Sequence, residues 1–296
     1  MNAASFIRLL LLAAIWGGSF LFFRIAAPVF EPAQLIVVRV GLAAAFLYAV
    51  ALARGYGFEW RGNGRHFLIL GFFNSALPFT LYAYAAKTTS ASLLSVLNAT
   101  APLWAAVFSI ALTRSMPSLK TLVGLALGIM GVATLAGIEA LHLPAGGGPA
   151  ILAGIAAAAS YGIASNYARS TQSVAPFANA LGSMAAATVV LAPLAAIAPL
   201  PTAMPSLIVV LSVIGLGVLC SGVAYPMYFR LIADVGVAPA LTVSYLIPVF
   251  GILLGVVFLD ETVGWHTLIG SVAVLTGTAL VTGFSPRLLF GSKRRR

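Results

Sequence analysis

Two prolines each follow a polar residue by four positions inside an apolar run. Pro102 follows Asn98 in NATAPLWAAVFSIALTRS (98–115), and Pro248 follows Ser244 in SYLIPVFGILLGVVFLDE (244–261). Proline lacks an N–H, and its ring collides with the carbonyl four residues back. A helix therefore kinks there and that carbonyl loses its partner. Asn98 and Ser244 would each present a free carbonyl beside a polar side chain, and the adjacent Tyr245 adds a hydroxyl. The chemistry this allows is hydrogen bonding to water or a small molecule. The alternative is a kink satisfied by a neighbouring helix.

Other residues fall into the same kind of pattern. Ser75, Pro78 and Tyr82 lie at i, i+3 and i+7, and Ser221, Tyr225 and Tyr228 at i, i+4 and i+7, so each set shares a helical face. Trp16 and Tyr161 stand beside glycines that permit close helix approach. Tyrosine rings suit an apolar or aromatic ligand, while a buried hydroxyl needs a partner. The expected ligand contacts are Trp16, Ser75, Asn98, Tyr161, Tyr225, Ser244 and Tyr245. Tyr82 and Tyr228 lie nearer run ends, where tyrosines commonly mark a membrane interface, and are secondary candidates. Pro78, Pro102, Pro226 and Pro248 are the expected hinges. Arg39 lies a few residues inside an apolar run. It either holds a ligand carboxylate, or reaches back to the interface or to Glu31. Its place near the end of the run favours the second. Glu261 is expected to cap the helix that follows it or to tie adjacent helix ends; Lys87 and His66 are expected at an interface.

Several chemistries are missing. All six acids (Glu31, Glu59, Glu139, Asp234, Asp260, Glu261) fall in loops or at run ends, so no buried acid relay is expected. The chain has no G-x-x-x-x-G-K-[ST] loop for ATP and no H-E-x-x-H pair, and its three histidines are far apart. Its one cysteine, Cys220, excludes an internal disulfide or a thiolate cluster. Neither enzyme, cofactor nor metal is indicated.

The elements that position these residues follow from composition. Of 296 residues, 61% are hydrophobic and only 7% charged. The apolar stretches are mostly long enough to cross a bilayer as helices, and they do not alternate as barrel strands would. The fold class is an all-α polytopic membrane protein with ten transmembrane helices, at 5–26, 33–53, 66–86, 91–112, 118–137, 149–168, 176–199, 205–232, 237–259 and 264–284. The first run is too long for a signal peptide and is read as a retained helix. The net charge of +10 does not indicate nucleic acid, because the cations lie between apolar runs and in the tail Lys293–Arg296. With the N-terminus inside, thirteen Lys and Arg fall on the cytoplasmic side and only Arg24 and Lys87 outside, so both termini are read as cytoplasmic. The partners implied are the lipid bilayer and a small molecule.

The chain also repeats itself. With a shift of 146 residues, Pro102 meets Pro248, TLVG (121–124) meets TLIG (267–270), and Gly131 and Gly137 meet Gly277 and Gly283. Gly71, Ser75 and Tyr82 meet Gly217, Ser221 and Tyr228; with a shift of 145, Trp16 meets Tyr161 and Gly17 meets Gly162. The units are 1–142 and 150–286, joined by the Gly/Pro-rich 143–149 and followed by the basic tail 287–296. Five helices per copy is an odd number, so the second copy enters the membrane from the opposite side. Inverted repeats of this kind typify secondary transporters, with a site near mid-membrane between the halves. The glycines of the fifth and tenth helices (Gly124, Gly128, Gly131; Gly270, Gly277) serve either internal packing or a dimer contact.

Two five-helix repeats, IWGGSF in the first helix, mid-helix prolines in the fourth and ninth, and FLDETVGWHTLIGSVAVLTGTAL (258–280) resemble the EamA family of the drug/metabolite transporter superfamily over essentially the whole chain. The family exports amino acids, drugs and other metabolites. Among its members this chain looks most similar to bacterial exporters of aromatic amino acids. The resemblance implies export across the bacterial inner membrane by alternating access without ATP; the alternatives are another metabolite or drug, or a channel-like facilitator. In one respect the chain departs from a symmetric pattern: Arg114-Ser115 stands where the second copy has Asp260-Glu261.

Overall fold

The computed structural model describes residues 3–57, 60, 62–142, 147–170 and 174–283. Glu59, Arg61, most of the 143–149 linker and the basic tail lie outside them. The described residues form ten spans: Ala3–Ala26, Pro32–Arg54, Gly64–Ala85, Ala91–Thr113, Leu119–His142, Gly147–Ser170, Pro176–Ile197, Leu207–Val235, a ninth made of Val237–Ala240 and Val243–Leu259, and Trp265–Thr282. These are called spans one to ten. Nine of them are long and apolar enough to cross a membrane by length and composition, and Val243–Leu259 is a shorter apolar helix. Large apolar side chains such as Leu52, Leu112, Leu207, Phe258 and Val272 point outward, as a lipid-facing surface requires.

The two repeats interleave rather than packing as separate bodies. A Cβ placed on Gly17 of span one would lie 2.9 Å from the Gly251 nitrogen of span nine; one on Gly162 of span six would lie 2.8 Å from the Ala105 nitrogen of span four. Under the repeat shift these are the same contact. Gly71 of span three approaches the backbone of span seven, and its equivalent Gly217 of span eight approaches that of span two. Each copy thus completes its core with helices of the other. Only glycine lets backbones come this close.

Spans five and ten form their own crossing. Cβ atoms at Gly124 and Gly131 would lie 2.7 Å from the Gly277 carbonyl and 2.8 Å from the Gly270 carbonyl. The shift carries one contact onto the other, so the crossing is two-fold symmetric. These glycines therefore serve internal packing, which decides between the two roles open to them in the sequence.

Spans three and eight are not regular α-helices. Each contains a π-helical stretch, Phe72–Ala76 and Gly215–Val223, at equivalent positions. A π turn shifts backbone partners and leaves carbonyls to be met from outside the helix. The Ser160 hydroxyl donates to the Phe73 carbonyl at 2.6 Å, and the Trp16 Nε1–H donates to the Cys220 carbonyl at 3.1 Å.

Spans four and nine are interrupted. Span four breaks at Ala99-Thr100, two residues before Pro102, and the Thr100 hydroxyl donates to the Leu97 carbonyl at 2.6 Å. The Ala99 carbonyl accepts from the Thr278 hydroxyl of span ten at 3.1 Å. In span nine the break falls at Leu241-Thr242, after Pro239, and the Thr242 hydroxyl donates to the Pro239 carbonyl at 2.7 Å. The helix then runs on through Pro248. The discontinuity of span nine thus comes earlier than Pro248, at a residue that can satisfy it with its own hydroxyl.

Candidate functional site

Two aromatic pairs join one repeat to the other. Trp16 of span one lies against Tyr228 of span eight, ring centroids 5.3 Å apart, with Tyr225 at 6.4 Å. Tyr161 of span six lies 6.3 Å from Tyr82 of span three. The repeat shift carries Trp16 onto Tyr161 and Tyr228 onto Tyr82, so these are one pair built twice. Trp16, Tyr161, Tyr225 and Tyr228 are half-buried. Tyr82 is only 1% exposed: it packs on Phe20 and Phe23, and its hydroxyl donates to Asn98 Oδ1 at 3.4 Å. Tyr82 is therefore a core residue, not a belt residue at an interface. The Asn74 amide reaches the Tyr225 hydroxyl at 3.5 Å.

Beside these pairs stands a charge. Arg39 of span two is 3% exposed. Its Nε donates to Ser221 Oγ at 2.9 Å, inside the π stretch of span eight. The guanidinium carbon lies 3.7 Å from the Phe79 ring centroid and 4.9 Å from that of Phe23. Nη1 is buried and makes no hydrogen bond. Tyr161, Tyr225 and Cys220 lie within electrostatic range of the group. The reading that Arg39 snorkels or pairs with Glu31 does not hold. Glu31 is held by Lys87 Nζ at 3.0 Å, and Arg39 is buried and bonded instead to Ser221 of span eight.

The two ends of the bundle are tied by polar contacts. At the end that carries the described chain termini, Asp234 pairs with Arg8 at 2.5 Å and with Arg230 at 3.1 Å. At the opposite end Arg24 donates to the carbonyls of Ala86 and Lys87, next to the Glu31–Lys87 pair. Glu261 caps span four there, not span ten: its carboxylate accepts from the backbone N–H of Ala91 and Ser92 at 2.6 and 3.0 Å and from the Ser92 hydroxyl at 2.6 Å. It ties the end of span nine to the start of span four. Its neighbour Asp260 and the equivalent Arg114 both end their helices with positive φ, 53° and 50°. The turn geometry is thus repeated while the cap belongs to one copy. A cleft of about 240 Å³ opens beside Glu31, Thr80, Leu194 and Ala198, away from the aromatic pairs.

A family model described as "EamA-like transporter family" matches residues 4–137 and again 148–283. The chain belongs to this family. The two matches coincide with the two repeats, and the all-helical EamA architecture follows. A solved structure, titled "Crystal structure of protein", aligns over 97% of this chain and 99% of its own, at 20% identity and a TM-score of 0.64. At that identity the likeness shows the fold alone. No curated protein matches the chain significantly.

Within this EamA framework the sequence candidates divide. Trp16, Tyr82, Tyr161, Tyr225 and Tyr228 come together, with Asn98 reached through Tyr82 and Arg39 beside them. Ser221 holds Arg39, while the equivalent Ser75 is fully buried and its hydroxyl unbonded. Ser244 is half-buried, just past the break of span nine. The Tyr245 hydroxyl meets Thr282 of span ten at 2.5 Å on an exposed face, apart from the cluster. Pro78 and Pro226 each follow a π stretch within three residues, and Pro102 follows the span four break. His66 accepts or donates between Tyr167 and Asn179 near the start of span three. Sequence reasoning did not find Phe23 and Phe79, which sandwich Arg39, nor the π stretches. The only trace of the latter was the matched Gly71/Ser75 and Gly217/Ser221.

Proposed function

We propose that this EamA-family protein exports small apolar metabolites, aromatic or hydrophobic amino acids first among them, across the bacterial inner membrane by alternating access. The observation that carries the reading is the doubled aromatic pair, Trp16–Tyr228 and Tyr82–Tyr161, set where the two inverted repeats meet. Aromatic rings drawn from both repeats suit contact with an aromatic or apolar body. Because each pair draws one ring from each repeat, movement of one repeat against the other changes both pairs together. The π stretches and the breaks of spans four and nine supply places where such bending is cheap in backbone hydrogen bonds. The described acids sit at span ends, which favours facilitated transport or exchange over proton coupling through a buried carboxylate. Both termini are assigned to the cytoplasm on the distribution of Lys and Arg.

The test is uptake into proteoliposomes with a panel of labelled amino acids, with and without a pH gradient. Saturable flux and counter-flow, strongest for phenylalanine, tyrosine, tryptophan and leucine, are expected. Flux indifferent to every amino acid would overturn the substrate class. Flux without saturation or counter-flow would replace the carrier with a channel.

A further inference from the structure

Arg39 carries a fixed charge in the buried central cluster, and no acid with a described side chain lies beside it. Among the described residues the acids are placed elsewhere. Glu31 is with Lys87, Asp234 with Arg8 and Arg230, Glu261 with Ala91 and Ser92, and Asp260 is exposed at a helix end. The partners Arg39 does have are weak for a cation: one serine hydroxyl and two phenylalanine rings. Cation–π contact offsets part of the desolvation, but it does not supply an acceptor for the guanidinium N–H groups. Nη1 is one of these, buried and unbonded. A packing role alone does not require a charge here, since an apolar side chain of similar volume would fill the gap between Phe23 and Phe79 without that cost.

The surroundings are arranged around the charge. Ser221 holds Nε, while Nη1 on the other edge of the guanidinium has no partner. The hydroxyl-bearing Tyr161, of one aromatic pair, and Tyr225, beside the other, lie within its field. Arg39 has no counterpart in the second repeat, where Met184 and Ala185 occupy the matching stretch. The charge therefore belongs to one repeat only and adds an anion-binding group beside the aromatic pairs. A ligand with one anionic end and one apolar end matches that asymmetry.

We infer that Arg39 makes this a carboxylate site: the carboxylate of a small aromatic or apolar acid, amino acid or not, binds the guanidinium while its apolar body lies against the aromatic pairs. The inference rests on the central cluster being the transport site. Nη1 is sealed from solvent in this arrangement, so the carboxylate reaches it as the spans around it part.

The experiment compares a ring-matched set in proteoliposomes of the full chain: phenylalanine, 3-phenylpropanoate without the ammonium, and 2-phenylethylamine without the carboxylate. Hexanoate serves as a non-aromatic acid. Phenylalanine and 3-phenylpropanoate should be carried and should compete, and the amine should do neither. Arg39→Gln should lower carboxylate flux by about tenfold or more and remove the preference for acid over amine, and Arg39→Lys should retain the preference at reduced flux. In detergent, 3-phenylpropanoate should raise the thermal midpoint of the wild type and not of Arg39→Gln; if the variant does not fold, wild type stabilised by 3-phenylpropanoate and not by 2-phenylethylamine reads the same preference. Amine handled as well as acid by the wild type, an acid preference that survives Arg39→Gln, or neither flux nor stabilisation by any acid would each overturn the inference. Arg39-dependent hexanoate flux without any aromatic flux would leave the carboxylate site standing and remove the aromatic reading; aromatic flux indifferent to Arg39 would do the reverse.

Discussion

Arg39 and Ser221 are 182 residues apart in the chain and joined by a 2.9 Å hydrogen bond in the folded protein. The equivalent of Ser221 in the first repeat, Ser75, is buried with no partner for its hydroxyl. The two serines should therefore respond oppositely to the same change. Ser221→Ala leaves a buried charged donor without its acceptor and should cost about 1–3 kcal/mol, whereas Ser75→Ala removes an unsatisfied hydroxyl and should be neutral or stabilising. Thermal midpoints of the two variants in one detergent check this. Equal losses would show that Ser75 has a partner.

Closing the empty site leaves the Arg39 charge buried without a counter-charge among the described residues, a cost that a bound carboxylate relieves. Return of the unloaded carrier should therefore be slow, and exchange faster than net efflux. Efflux of labelled phenylalanine should rise when unlabelled phenylalanine is placed on the far side, and Arg39→Gln should erase that rise. Counter-flow assays measure both.

Tyr82 packs as core, and its long 3.4 Å bond to Asn98 is a weak tie. Tyr82→Phe should change stability by less than about 1 kcal/mol, while Tyr82→Ala should cost about 3–5 kcal/mol through the cavity left against Phe20 and Phe23. The half-buried Tyr161, its partner, should instead shift substrate preference when changed to Leu. Unfolding midpoints and a flux panel separate the two effects.

The crossing of spans five and ten has no room for a side chain at Gly277, where a Cβ would meet the Gly128 nitrogen at 2.7 Å. Gly277→Ala should cost about 1–3 kcal/mol through overpacking. Gly137→Ala meets nothing within 4 Å and sits in a helix, so it should be neutral or slightly stabilising. Heat denaturation followed by gel filtration distinguishes them.

Glu261 satisfies two backbone donors at the start of span four. Glu261→Ala should cost about 1–2 kcal/mol, as loss of a helix cap does, and Glu261→Gln less because one carbonyl oxygen remains as acceptor. Hydrogen exchange at Ala91 and Ser92 should quicken in the alanine variant; unchanged protection there would mean that the cap is dispensable.

Much of this protein was legible in one dimension. Span existence depends on runs of apolar residues, and the repeat depends on matched prolines, glycines and aromatics at one spacing, so both are local properties of the chain. The residues that form the aromatic pairs could be nominated for the same reason. What the sequence left undecided were the questions of partnership. Whether Arg39 escaped to an interface turned on its burial against Ser221 of span eight, and whether Glu261 capped span ten or another end turned on where span four begins in space. Pro248 marked a kink by rule, yet the break of span nine formed at Leu241-Thr242, where the Thr242 hydroxyl and N–H both donate to the Pro239 carbonyl. Burial of a charge, satisfaction of a carbonyl and the meeting of two rings are set by groups distant in the chain. Hydropathy and periodicity carry no information about those distances; the interleaving of the two repeats, fixed by close glycine contacts, supplies it.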